Sequence, residues 1–156
     1  MSKQRFFEIL CTVLLAVFIV AMLAGNAGSS KTAEQVFEPV IEQVDLEVLK
    51  VRDDKVLVKE FSFGEKDVEN VIYISSDSVM EVRELLLVEV KSTEDVQKIT
   101  ELIKSRVESK KALFKNYAPE QSALLDNYVL VKKGKFILYT VYDSPEKIVK
   151  AFKKAL

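Results

Sequence analysis

Two short stretches constrain this chain more than any other. ENVIYIS, residues 69–75, and RELLLVEV, residues 83–90, are aliphatic and β-branched on both of the faces that a strand would present. Side chains of a strand alternate between faces, so a run that is apolar at odd and even positions alike must lose water on both sides. A sheet built on these runs needs helices over both faces, or helices over one and a partner over the other. Ser75, Ser76, Asp77 and Ser78 supply turn residues between them, and the two runs read as paired strands.

The flanking segments supply helices. Thr32, with Gln35 three residues on, has the form of a capping box, and Val36, Phe37, Val40, Ile41 and Val44 follow at helical spacing. Pro39 removes a backbone donor there and should kink the helix. Asp53 or Asp54 can cap a short helix through Phe61 or Phe63 that Gly64 stops, while the alternation of Val56 and Val58 leaves a strand open as the alternative. Ser92, with Asp95 three residues later, opens the longest helix, whose Val96, Ile99, Ile103, Val107 and Phe114 form one stripe to about Tyr117. Pro119 starts a shorter helix through Leu124 and Leu125.

Tyr128 to Lys132 and Lys135 to Tyr142 flank Lys133 and Gly134, a tight hairpin in which glycine takes the positive φ that such turns demand. Ser144 caps the last helix and Pro145 occupies its first position; Ile148, Val149 and Phe152 would dock it on the sheet. This order predicts an α+β domain, a four-stranded antiparallel sheet packed with helices and preceded by an N-terminal hydrophobic helix.

That N-terminal helix follows from the run Ile9 to Gly25, which carries no charge and is preceded by Lys3 and Arg5. The basic end should stay in the cytoplasm and the remainder should cross, which places the domain on the extracytoplasmic side of the cell membrane. With Phe6 and Phe7, residues 6–25 reach the length of a spanning helix. Gly25 and Ala27 also have the spacing of a signal-peptidase site, and cleavage after Ala27 would release a secreted chain. MLAGNAGSS, residues 22–30, resembles a lipoprotein signal, but Asn26 stands where the lipid-bearing cysteine would be. The expected organisation is an anchor or signal segment over residues 1–28, a linker over 29–31 and the domain over 32–156.

Several chemistries are excluded by composition. The chain has no histidine, and its one cysteine, Cys11, lies inside the apolar run, where it reads as a small buried apolar residue. Ser-His-Asp and Cys-His catalysis, histidine-ligated zinc and intramolecular disulfides therefore have no residues to use. A formal net charge of -1 argues against nucleic acid as a partner. No cofactor motif occurs.

The stretches YISSDSVMEVRELLLVEVKS, ESKKALFKNYAPEQSALLDNYVLVKKGKFILYTV and DSPEKIVKAFKKAL together resemble the domain-of-unknown-function family numbered 4358, with similarity running from about Thr32 to the end of the domain. The resemblance implies a small extracytoplasmic protein of a Gram-positive bacterium, often lipoprotein-type. It implies a single domain and supplies no catalytic residue. Asn26 departs from the lipoprotein pattern, which leaves a helix anchor or secretion.

Four groups of residues invite a functional reading. Ser75, Ser76 and Ser78 around Asp77 could present a nucleophile to a lysine base such as Lys91 or Lys133, although a serine-rich turn explains them. Glu65, Asp67 and Glu69, or Asp53 with Asp54, could bind calcium or act as paired carboxylates, but lack a calcium-loop spacing and read as caps or solvated surface. Lys98, Lys104, Arg106, Lys110, Lys111 and Lys115 make the long helix basic, a face suited to a polyanion. Glu94, Glu101 and Glu108 stand at pairing distance from Lys98, Lys104 and Lys111, as on an ordinary salt-bridged helix. The corner Tyr117 to Ser122 joins two helices, and Tyr73, Tyr128, Tyr139 and Tyr142 read as core or interface aromatics.

The resulting expectation is a binding or interaction module without chemistry of its own, tethered to the membrane through residues 6–25. Its partners would be an envelope protein or an anionic polymer. A structural role beside another envelope protein and a histidine-free hydrolase are the alternatives.

Overall fold

The computed structural model describes residues 31–156. The expected anchor over residues 6–25, Cys11 and the cleavage site after Ala27 lie outside the described residues. Among the described residues, no helix is long and apolar enough to cross a membrane.

The chain runs α1 (Ala33–Ile41), β1 (Lys50–Val51), α2 (Asp54–Phe61), a 3-10 turn (Glu65–Asp67), β2 (Asn70–Ser75), β3 (Glu84–Glu89), α3 (Asp95–Phe114), α4 (Pro119–Asp126), β4 (Val129–Lys133), β5 (Phe136–Val141) and α5 (Glu146–Ala155). The sheet is antiparallel throughout, in the order β1-β2-β3-β5-β4. It therefore has five strands where four were expected. The extra one, β1, is two exposed residues long and has no hydrophobic alternation to announce it. Its partner places it, through Lys50 opposite Ser75 and Val51 opposite Ile74.

The two doubly apolar runs form β2 and β3, and helices cover both faces of the sheet. On one face Tyr73, Leu86, Val88, Ile137 and Tyr139 meet Leu57 and Phe61 of α2, Ile99, Ile103 and Val107 of α3, and Leu125 of α4. On the other, Ile74, Leu85, Leu87, Phe136 and Leu138 meet Val36, Phe37 and Val40 of α1 and Ile148 and Phe152 of α5. The helices α1 and α5 thus close one face together. Every residue of β5 is buried, as a central strand between two helical layers must be.

Local chemistry explains the boundaries. The Thr32–Gln35 capping box forms as expected, and Pro39 lies inside α1. Residues 54–61 are helix: Asp53 accepts from the Val56 amide at 2.9 Å, and Leu57 and Phe61, one turn apart, are both buried. The helix ends at Ser62, in the left-handed conformation with φ 62°, ahead of the expected stop at Gly64. Gly64 serves a different need, since a Cβ there would lie 2.6 Å from Asp54 Oδ1 and from Val58 Cγ2. α3 begins at Asp95, later than Ser92 suggested, with the Asp95 carboxylate accepting from the Ser92 amide at 3.3 Å. In the hairpin Lys133 pairs with Phe136, so the two turn residues are Gly134, at φ 58°, and Lys135. A single positive φ at the first turn position is the II′ geometry that matches strand twist.

Candidate functional site

The side chain that most needs explanation is Glu84, an acid fully buried in the central strand β3. A carboxylate there is tolerable only when paired and fully hydrogen-bonded. Arg106 of α3 meets it with both terminal nitrogens, Nη1 to Oε1 at 2.6 Å and Nη2 to Oε2 at 2.8 Å. Tyr139 donates to Oε1 at 2.6 Å, Tyr73 to Oε2 at 2.8 Å, and Lys110 Nζ to Oε2 at 3.2 Å. Five donors thus converge on one carboxylate. Arg106 also donates to Glu60 of α2 from Nε at 3.2 Å and Nη2 at 2.7 Å, and its guanidinium lies 4.3 Å above the Phe61 ring.

The electrostatics follow from this packing. Burial alone would raise the Glu84 carboxyl, but the charges of Arg106 and Lys110 and the hydrogen bonds outweigh it and hold it below the usual range. Burial pushes the Lys110 ammonium down, partly offset by Glu84. Burial and the negative charge of Glu84 drive the phenols of Tyr73 and Tyr139 well above theirs.

Above this cluster lies a cleft of about 540 Å³ between α2, α3 and the turn after β2. Arg106 and Lys110 form part of its floor, Lys59 and Glu60 one wall, and Ser75 to Val79 another. Its rim is apolar and wet: Val79 is 85% exposed, Leu113 63% and Tyr117 54%. Lys110 gives Glu84 one of its three donors, and the other two find no acceptor among the described residues. Its side chain retains 19% exposure.

The serine-rich turn belongs to this cleft and is hydrogen-bonded as a turn. Ser75 Oγ accepts from Arg52 Nε at 2.9 Å, Ser76 Oγ from the Ser78 amide at 3.1 Å, and Ser78 Oγ from the Met80 amide at 3.2 Å. Asp77 pairs with Lys50 and Arg52, and their hydrogen bonds hold its carboxyl below the usual range. Lys91 and Lys133 are not brought to these serines. Both lie towards the other end of the sheet: Lys91 follows β3 and donates to the Lys66 carbonyl, and Lys133 stands on β4 opposite Phe136, the partner of Glu89. Asp53 and Asp54 are used as backbone acceptors, as is Asp67, which takes the Gly64 amide at 2.9 Å. Among the described residues no cluster of three or more acidic or cysteine side chains could hold a metal.

The basic residues of α3 do not share one face. Arg106 is buried and Lys110 turns inward to Glu84, while Lys98, Lys104 and Lys115 are exposed. Lys111 lies 3.4 Å from both Glu108 and Asp126 and 5.1 Å above the Tyr128 ring. Of the expected helix pairs, Glu108–Lys111 forms, whereas Glu101 accepts from Gln97 at 2.7 Å. In the helix corner, Gln121 accepts from the Val82 amide at 3.0 Å, which ties α4 to the entry of β3. Pattern reading missed Glu84 and Glu60. The available signal was an acid at the start of an otherwise apolar run of the central strand, with Arg106 and Lys110 one turn apart beside the apolar stripe of α3.

No curated protein and no solved structure matches the chain. The family described as Domain of unknown function (DUF4358) matches residues 42–142. The match takes in the five strands, α2, α3 and α4 with the whole buried cluster, and leaves α1 and α5 outside it. With most of its length covered, the chain belongs to the DUF4358 family.

Proposed function

We propose that the domain is a binding module, held on the extracytoplasmic side of the membrane through residues 6–25, and that the cleft between α2 and α3 is where it takes an anionic, partly apolar ligand. The observation that carries this reading is Lys110, whose ammonium reaches the cleft with two donors uncommitted, opposite an apolar rim of Val79, Leu113 and Tyr117. An acidic group would pair with Lys110 and Lys59, and its apolar neighbour would cover the rim. Wall polymers and anionic lipid headgroups carry such groups.

The test is saturable binding of the full-length chain, in mild detergent, to purified anionic wall polymer and to phosphatidylglycerol vesicles across a salt series. Binding should weaken with salt and fall about tenfold or more in Lys110→Met, in line with loss of one charge-assisted hydrogen bond. No saturable binding to either, or binding indifferent to Lys110→Met and Leu113→Glu, would overturn the reading.

A second reading, assembly beside another envelope protein, is supported by Leu46, Val48 and Val51, which are 49%, 47% and 62% exposed beside the β1 edge.

A further inference from the structure

Strand β2 is only half covered on its outer side. β1 pairs with Ile74 and Ser75, and the Arg52 amide donates to the Tyr73 carbonyl at 2.8 Å, after which the chain turns away at Asp53 into α2. Backbone groups of alternate residues point to the same edge of a strand, so the N–H and C=O of Val71 point outward with those of Tyr73. They find no partner among the described residues. Beside this open edge runs a groove of about 640 Å³, lined by Phe37, Ile41, Val44, Leu46 and Ile72. Its far wall carries Glu34, Glu38 and Glu42, exposed and without an ion pair among the described residues.

We propose that an extended segment of a partner protein, with Lys or Arg at alternate positions, adds as a strand to β2 at Asn70–Ile72. The spacing supports this occupant. Acids four residues apart on a helix repeat every 6 Å or so, and same-face side chains of a strand repeat at about 6.7 Å. Lysine and arginine stems would lie over Phe37, Ile41 and Ile72 while their charges reach the acids. A second copy of this chain is disfavoured, because edge-to-edge pairing would bring the same acids, and Glu69, against each other. The proposal is independent of the cleft and adds a second surface.

The experiment uses the full-length chain in mild detergent and an acetylated pentapeptide alternating Lys and Val, with a blockwise Lys-then-Val peptide as control. Hydrogen exchange of the Val71 amide is read by NMR. At a peptide concentration about ten times the dissociation constant, its exchange should slow about tenfold, because only the free form exchanges. Val71→Pro removes the outward donor without touching the β2–β3 ladder and should abolish binding. Charge reversal at Glu34 and Glu38 of α1 and at Glu42 just past its end changes only exposed side chains, spares the fold, and should weaken binding at least about tenfold. Equal protection by the blockwise peptide, unchanged affinity after charge reversal, no slowing at Val71, or slowing with protein concentration alone would each overturn the proposal.

Discussion

Replacing Arg106 by methionine tests the buried cluster most directly. Methionine keeps an unbranched apolar side chain at the site, so the change removes the guanidinium together with its contact over the Phe61 ring. It removes two donations to Glu84, two to Glu60 and one, at 3.2 Å, to the Tyr73 hydroxyl. Glu60 is about a third exposed and water can replace its partner. Glu84 cannot be reached by water and keeps only Tyr73, Tyr139 and Lys110. Removing one partner of a buried pair typically costs about 3–5 kcal/mol. Because Lys110 remains as a counter-charge, the lower end, about 3 kcal/mol, is expected, equivalent to a drop of about 10 °C in Tm for a domain of this size.

The assay is urea denaturation of the full-length chain in mild detergent followed by tyrosine fluorescence, since the chain has no tryptophan. Glu84→Gln and the double variant complete a cycle, which should show a coupling of about 1–3 kcal/mol between the two sites. A cost below about 1 kcal/mol for Arg106→Met, or strict additivity in the cycle, would refute the claim that Arg106 carries the burial of Glu84.

Other consequences can be measured. Because the folded-state carboxyl of Glu84 is depressed, its contribution is present above the ordinary carboxylate range and lost as pH falls through the folded value; Glu84→Gln should flatten the acid limb of the stability curve. Tyr73 and Tyr139 have the opposite sign: their raised phenols withhold protons, so stability should fall above about pH 10 as the unfolded chain ionises. A phenolate absorbance step should then coincide with unfolding and shrink in Tyr73→Phe; smooth titration of all five tyrosines before unfolding would contradict it. Gly64→Ala places a methyl against Asp54 and Val58 and should cost about 1–3 kcal/mol by denaturation, whereas an unchanged midpoint would mean α2 yields easily.

The parts of the fold legible in the sequence were those with local causes. Double-sided apolar runs became β2 and β3, Gly134 became a two-residue turn, and the Thr32–Gln35 box capped α1. The long helix ended at Phe114, within a few residues of the expectation. What was not legible depends on pairing across the chain. Lys50 and Val51 form a strand only because Ile74 and Ser75 stand opposite. Residues 53–63 fitted helix and strand alike until burial of Leu57 and Phe61 decided between them. The site is the extreme case: Glu60, Tyr73, Glu84, Arg106, Lys110 and Tyr139 come from five elements, α2, β2, β3, α3 and β5, and no spacing rule links an acid in one strand to a guanidinium in a distant helix.

Closure of one sheet face by α1 and α5 together has a consequence for how the protein is made. Synthesis proceeds from the N-terminus, and α5, Glu146–Ala155, is made after every strand of the sheet. Until those residues leave the ribosome, Phe136, Leu138, Leu85 and Leu87 have α1 but not α5 to shield them. The domain therefore passes through a stage in which a nearly complete sheet offers apolar surface to chaperones, proteases and other nascent copies. A chain broken off within α5 would keep its sheet but leave that face half covered, and would be prone to aggregate instead of being merely shorter.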